Sequence, residues 1–321
     1  MTDTTRPKRY RMVSKYYKET YGEKVYKLPV ALPLTCPNRD GSAGVGGCTF
    51  CGEIGAGYEN RPAWMTVRMQ LEENIAHIGP KYKAKKFIPY YQNFSNTYLN
   101  LDDFKSYIEQ GCIDKAVGIA IATRPDCIAD EYLDILADIR DRFQKDIYIE
   151  LGLQTVNYDT LEKINRGHDL AQFIDAVLRI KRYGFNVTTH MIVNLPWDTM
   201  KDTIEGARIL SALGVDQVKL HALYIVKNTL MARWYQEGQF TLISAEEYAD
   251  RVVNFIRHLH PDIVLQRLVG RAPEDNTLFT NWSMGWWRVQ DLIDDKLDEL
   301  DAHQGDLCDY LNGKAVRKFI D

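Results

Sequence analysis

Short apolar, β-branched runs alternate with amphipathic stretches through the first two-thirds of the chain. Runs at Tyr26–Leu34, Phe87–Phe94, Ala116–Thr123, Ile147–Gln154, Phe185–Leu195 and Gln217–Tyr224 predict strands. Several are nearly continuous in apolar residues, as in strands covered on both faces. Between them, apolar residues at helical spacing predict helices near Val67–Ile78, Leu101–Gln110, Asp130–Phe143, Leu170–Tyr183 and Thr199–Leu213, with Gly184 as a stop. Alternation at about thirty residues per unit requires right-handed crossovers and a parallel sheet. Six units are too few to close an eight-stranded barrel. The expected fold is therefore α/β, a partial (β/α)6 barrel.

The alternation stops near residue 236. Ser244–Leu259 reads as a helix with Ser244 as N-cap and Glu247 three residues on. A tryptophan-rich segment then leads into a charged amphipathic stretch ending near Leu300. The expected organisation is a short basic N-terminal extension (1–27), a core (28–235) and a C-terminal helical cap (236–321). Trp282, Trp286 and Trp287 are assigned to anchoring that cap.

Parallel β/α sheets bind ligands at the carboxyl ends of their strands. The loop after the first strand therefore matters, and it holds three cysteines as Cys36-x11-Cys48-x2-Cys51 among Gly41, Gly44, Gly46 and Gly47. Glycines allow the backbone to wrap closely around an inorganic core. Electron-transfer clusters take four cysteines and structural zinc takes four ligands. Three thiolates leave one iron of a [4Fe-4S] cube open to a small molecule. The competing readings are a zinc site completed by a distant histidine, or buried structural thiols. Phe50, directly before Cys51, is suited to shield a cluster or to contact an adenine. Cys112, Cys127 and Cys308 form no CxxC pair, which argues against a second cluster.

Apolar residues at 45% support a substantial core, and a net charge of −4 means that any nucleic-acid surface must be local. The segment Arg6–Lys27 carries eight Lys/Arg against two Glu, with five tyrosines interleaved. Such a segment suits single-stranded or loop RNA. It equally suits a solvated helix that packs its tyrosines on the barrel. Lys81–Lys86 forms a second basic patch. No run approaches the roughly 20 apolar residues of a membrane span. No apolar segment follows the basic N-terminus as in a signal peptide, and the cysteine spacing is unlike a secreted framework. A reducing cytoplasm is the expected setting.

The three-cysteine loop resembles that of the radical S-adenosylmethionine (radical SAM) superfamily. The usual spacing there is C-x3-C-x2-C; the x11 gap resembles the branch containing the radical subunit of Elongator and its bacterial relatives. Thr123-Arg-Pro-Asp126 resembles the TRPD signature of that branch. Pro125 would end the strand, leaving Thr123 and Arg124 beside the ligand, with the guanidinium suited to the carboxylate of SAM. The alternative is an Arg–Asp pair at a strand end. Glu150-Leu-Gly-Leu-Gln154 followed by Arg166 resembles a paired motif of oxygen-independent coproporphyrinogen oxidases and Elongator-like enzymes. The resemblance gives Gln154 the ribose side of SAM and Arg166 its carboxylate. Glu150 shares a strand face with Gln154, and a satisfied core network is the alternative for both. His190-Met-Ile-Val-Asn-Leu-Pro-Trp-Asp198 resembles a GLPGE-type strand end and sets His190 near the ribose hydroxyls, with His221 similarly placed one strand on. Many members carry Gly-Gly-Glu after the second strand. Here Gln92-Asn-Phe-Ser-Asn-Thr-Tyr98 stands there, with Asn93, Ser95 and Asn96 as candidate SAM contacts.

The resemblance implies a [4Fe-4S] cluster on Cys36, Cys48 and Cys51, whose free iron chelates SAM. Reduction by a donor such as flavodoxin or ferredoxin would yield methionine and a deoxyadenosyl radical that abstracts hydrogen. The implied substrate is a tRNA wobble uridine side chain. The rivals are a radical SAM enzyme acting on a small metabolite or peptide, and a non-catalytic iron–sulfur carrier or redox sensor.

Overall fold

A computed structural model describes residues 7–53, 55, 59–271 and 275–320. The six apolar runs become β1 (Val25–Val30), β2 (Lys86–Tyr91), β3 (Gly118–Thr123), β4 (Asp146–Gln154), β5 (Asn186–Ile192) and β6 (Gln217–His221). Three shorter strands follow: β7 (Ile225–Val226), β8 (Val264–Arg267) and β9 (Thr277–Phe279). The main sheet is parallel throughout, in the order β1-β2-β3-β4-β5-β6-β8, while β7 and β9 form a small antiparallel pair. Strand β8 thus adds a seventh strand from the segment expected to be a helical cap. Gln266 and Arg267 interrupt its apolar run, which hides it from a periodicity reading.

The helices are α1 (Val13–Tyr21), α2 (Val67–Tyr82), α3 (Leu101–Gln110), α4 (Asp130–Phe143), α5 (Tyr158–Lys163), α6 (Leu170–Arg182), α7 (Met200–Leu213), α8 (Leu230–Gln236), α9 (Ala245–His258) and α10 (Trp286–Glu299). Gly184, at φ +71°, follows α6, and Ser244 caps α9 by accepting from the Glu247 N–H at 3.1 Å. The outward faces of the strands, including Ile119, Ile121, Ile149, Leu151 and Val187, join Phe104, Leu133, Leu136, Phe173 and Val177 of the helices in one buried core. Each such side chain stabilises the fold by about 1.5–3 kcal/mol on burial.

The sheet curls into a partial barrel. Lys27 of β1 reaches Glu150 in the central strand and also Gln266 of β8, 3.1 Å away at the opposite edge. The inner face is consequently the wall of a bore.

Of the two readings of the basic N-terminus, the packed one is realised. Tyr17 is buried with Val25, Ile88, Tyr90 and Tyr148, and the Tyr21 hydroxyl bonds Tyr148. Helix α1 closes the floor of the bore, and Met12 bridges Leu265 of β8 across the seam. Lys8 pairs with Asp294, and Arg9 with Asp298 and Asp301, on or just beyond α10. Lys8, Arg9 and the buried Tyr17 thus serve the fold, while Lys15, Lys18 and Lys24 stay exposed and Arg6 lies outside the described residues. Trp282 donates to the Ile243 carbonyl at 2.7 Å and packs on Tyr248, while Trp287 stays 41% exposed. Among the described residues, no helix is long and apolar enough to cross a membrane.

Candidate active site

The carboxyl ends of the strands open on one cavity. Cys36, Cys48, Cys51, Phe50, Thr123, Arg124, Glu150, Gln154, Arg166 and His190 all line it. Ten residues scattered over 155 positions of sequence therefore share one wall. Asn93, Ser95 and Asn96 do not. Asn93 exchanges two hydrogen bonds with the Leu32 backbone, Ser95 bonds the Thr123 hydroxyl, and Asn96 donates to the Tyr91, Asn93 and Ala122 carbonyls. These three brace the loop after β2, and its alternate residues Gln92 and Phe94 face the cavity with Tyr90.

The cysteine loop is held from outside by the segment before α6. The Asn165 amide donates to the Val45 and Gly47 carbonyls at 3.0 and 2.8 Å, and the Thr49 N–H donates to Ile164 at 3.0 Å. The thiols also have donors aimed at them: Asn38 Nδ2 and Arg166 Nη1 lie 3.6 and 3.5 Å from Cys48 Sγ, and Arg39 Nη2 lies 3.3 Å from Cys51 Sγ. Burial raises the Cys51 thiol, an effect that Arg39 opposes. Such N–H donors tune sulfur ligands of iron–sulfur centres.

Gly152 is a point of close approach on β4. A Cβ there would stand 2.7 Å from both Arg166 Nη2 and Gln154 Nε2. Its carbonyl accepts from Arg166 Nη2 at 2.7 Å and bonds His168 Nε2 at 3.0 Å. Burial and the neighbouring Arg166 lower His168 to about 3, so the ring is neutral. A register shift falls between Gly152 and Gln154, and Gln154 adopts φ +79°. Non-glycine residues avoid that region unless the surroundings hold them there. The fork of Arg124 is bidentate on Asp126, at 2.9 and 2.6 Å, and its Nη1 donates to the Arg166 carbonyl. Arg124 is buried and lines the cavity, so this pair sits at the cavity wall rather than at the surface.

Below the rim lies a network of buried charge. Glu150 accepts from Lys27 and from Lys219 (3.1 Å), and bonds His190 Nε2 (2.6 Å). Burial alone would push Glu150 up, but Lys219, Lys27 and His190 hold it well below the usual carboxylate range. Burial lowers Lys219 to about 7 and His190 to about 4. His221 stacks on His190 with ring centres 5.2 Å apart, and Arg267 Nη2 donates to His221 Nδ1 at 2.7 Å.

Comparison with known proteins gives this geometry a lineage. The profile of the radical SAM superfamily matches residues 37–210, more than half of the chain, and that of the Radical_SAM C-terminal domain matches 215–299. The chain belongs to the radical SAM superfamily. YtqA of Bacillus subtilis (strain 168) is 33% identical over 96% of each chain. The tRNA uridine(34) acetyltransferase of Dehalococcoides mccartyi is 25% identical over 44% of this chain and 30% of its own. The fold is similar to that of the archaeal Methanocaldococcus infernus Elp3, with a TM-score of 0.64 over 87% of this chain and 64% of that one at 14% identity.

As a radical SAM enzyme, the chain uses a [4Fe-4S] cluster and SAM. The residues present fit both. Three thiols share one cavity with N–H donors on two of them, and the missing Cβ of Gly152 lets Arg166 and Gln154 converge. Among the described residues, no three His, Cys, Asp or Glu side chains converge tightly enough for a single metal ion.

Asn38, Arg39 and Gly152 lie inside motifs visible in the sequence but were not singled out there, because their roles are set by close approach. Lys27, Lys219 and Arg267 had only one signal, a charge inside an apolar strand.

Proposed function

We propose that this radical SAM enzyme modifies the side chain of a tRNA wobble uridine, with the RNA seated in a groove beside the cysteine loop. The observation that carries the reading is that groove, about 880 Å³, lined among the described residues by Arg39, Lys163, Lys227 and Arg233 against Glu53 as the one acid. An excess of three positive charges at the mouth of the site matches a phosphate backbone. Trp234 shares the groove and offers a ring for stacking. The partial likeness to a tRNA uridine(34) acetyltransferase supports the same substrate.

Cys36, Cys48 and Cys51 would hold the cluster. When bound, the cluster and SAM supply reductive cleavage of the sulfonium and hydrogen abstraction from the substrate. Arg166 and Gln154 orient the cofactor from β4 and the segment before α6, and Thr123 borders it. Arg124, held by Asp126, fixes the Arg166 backbone in place. Phe50 and Phe94 keep water from the cavity.

Nucleoside analysis of tRNA from cells lacking the protein tests the proposal. A changed wobble-uridine profile, restored by the wild-type gene, is expected. An unchanged profile overturns the tRNA reading and leaves a small metabolite or peptide as the substrate class.

A further inference from the structure

The eleven residues between Cys36 and Cys48 form a seat for one side chain. The loop folds back on itself: the N–H groups of Ala43 and Gly44 donate to the Pro37 carbonyl at 2.8 and 3.3 Å, and that of Gly47 donates to the Asn38 carbonyl at 2.7 Å. This fold lays Gly47 against the stem of Arg39, where a Cβ would stand 3.2 Å from both Arg39 Cγ and Nε. Gly47 also has φ +78°, so both the space and the backbone favour glycine there. The arginine thus crosses the loop from its first thiol to its last. Its backbone N–H donates to the Cys36 carbonyl at 2.8 Å, and its guanidinium reaches the Cys51 limb.

There the guanidinium is held on several sides. Nη1 donates to the Glu53 carbonyl at 3.0 Å, and Nη2 to the Gly52 and Cys51 carbonyls. Its face lies over the Phe94 ring, 4.9 Å from the centroid. In that position Nη2 stands 3.3 Å from Cys51 Sγ, closer than the two donors on Cys48 at 3.5 and 3.6 Å. Arg39 borders the cofactor cavity on one side and the basic groove on the other. An arginine cation is therefore fixed beside one thiol of the three.

We propose that Arg39 is a positioning residue of the reductive step, raising the reduction potential of the [4Fe-4S] cluster through Cys51. The inference rests on the three cysteines holding that cluster, and not on a tRNA substrate. One electron from a low-potential one-electron donor places added negative charge on the sulfur ligands, with no bond made or broken and no proton moved. A guanidinium donating to one of those sulfurs stabilises the reduced form more than the oxidised form. The carbonyls and the Phe94 ring fix the donor before the electron arrives, so it need not reorganise at that moment. The long gap in the cysteine motif thereby gains a role, since its turn builds the seat of the Arg39 stem.

The test is a potentiometric titration, read by electron paramagnetic resonance of the reduced cluster, on the anaerobically reconstituted full chain after its iron and sulfide have been counted. Arg39→Met is expected to keep its cluster and to have a midpoint more negative than wild type. At a fixed ambient potential its ratio of reduced to oxidised cluster falls about tenfold, the low end for a charged hydrogen bond at a half-buried arginine, which is about 59 mV for one electron. Arg39→Lys, which keeps the cation without the fork, lies between the two. SAM affinity for the oxidised, cluster-loaded protein, measured by equilibrium dialysis, changes in neither variant. Equal midpoints in wild type and Arg39→Met, both with full clusters, overturn the inference and leave the cysteine assignment standing. If Arg39→Met takes up no cluster, Arg39→Lys decides: a wild-type midpoint makes Arg39 a staple of the loop and ends the proposal, and a more negative one supports it. A fall in SAM affinity makes Arg39 a cofactor ligand and also ends it. A wild type that takes up no iron sinks the cysteine assignment and the inference with it. No readout involves RNA, so the outcome is independent of the nucleoside analysis.

Discussion

Single atoms decide the chemistry at Gly152 and Glu150. The Gly152→Ala methyl group would meet Arg166 Nη2 and Gln154 Nε2 at 2.7 Å, so both groups must shift from the positions in which they line the cavity. A displacement near 1 Å at a binding group costs up to about a hundredfold. SAM affinity, measured by equilibrium binding to the cluster-loaded variant, is expected to fall tenfold or more with little change in melting temperature. Glu150→Gln leaves two lysines without their acid, and loss of a buried partner costs about 3–5 kcal/mol. Denaturant unfolding should report that loss. His190 adds a pH signature in the cluster-free protein, where Glu150, Lys219, His221 and Arg267 face it. Its folded value lies near 4 against 6.5 when unfolded, so between those values the unfolded chain binds the extra proton. Stability is therefore full above pH 6.5 and declines as pH falls toward 4. In His190→Asn, the slope of unfolding free energy across that window should flatten by about one proton.

At the scale of elements, α1 is a plug. Its sequence of tyrosines and basic residues reads equally as an RNA arm and as a packed helix. Its burial decides for packing, because Tyr17 meets Tyr148 edge-on with ring centres 6.2 Å apart inside the barrel floor. Tyr17→Ala should lower unfolding free energy by about 3 kcal/mol, the usual cost of deleting a large buried ring. The order of crossover helices and strands was legible, and α3 and α4 follow their expected spans, but β1, β2, β5 and β6 end three or four residues before the apolar runs that announced them, because those runs continue into the rim loops. Strand β8 was not legible. Its inward residues are polar because they face the bore, and periodicity rules assume that the interior is apolar.

The molecule as a whole separates two basic regions with different fates. Lys8 and Arg9 are spent on the acidic face near α10, whereas Lys163, Lys227 and Arg233 surround the open groove. Combined Lys163→Ala, Lys227→Ala and Arg233→Ala substitution should weaken tRNA binding and reduce its salt-dependence slope by about two. Lys8→Ala with Arg9→Ala should leave both unchanged while lowering the melting temperature.

The three-cysteine loop, the TRPD turn, Gln154, Arg166 and the parallel strand–helix order are local patterns, and the sequence by itself determined them. Short-range spacing suffices for such a loop because its three thiols lie within sixteen residues of one another. Only the tertiary structure decided which polar residues look inward. Curling brought Lys27, Glu150, Lys219 and Arg267 together from four strands, and it turned Asn93, Ser95 and Asn96 into loop braces. Period-two alternation tells which residues share a strand face. It does not tell whether that face meets apolar helices or a polar bore, because only the closure of the sheet settles that.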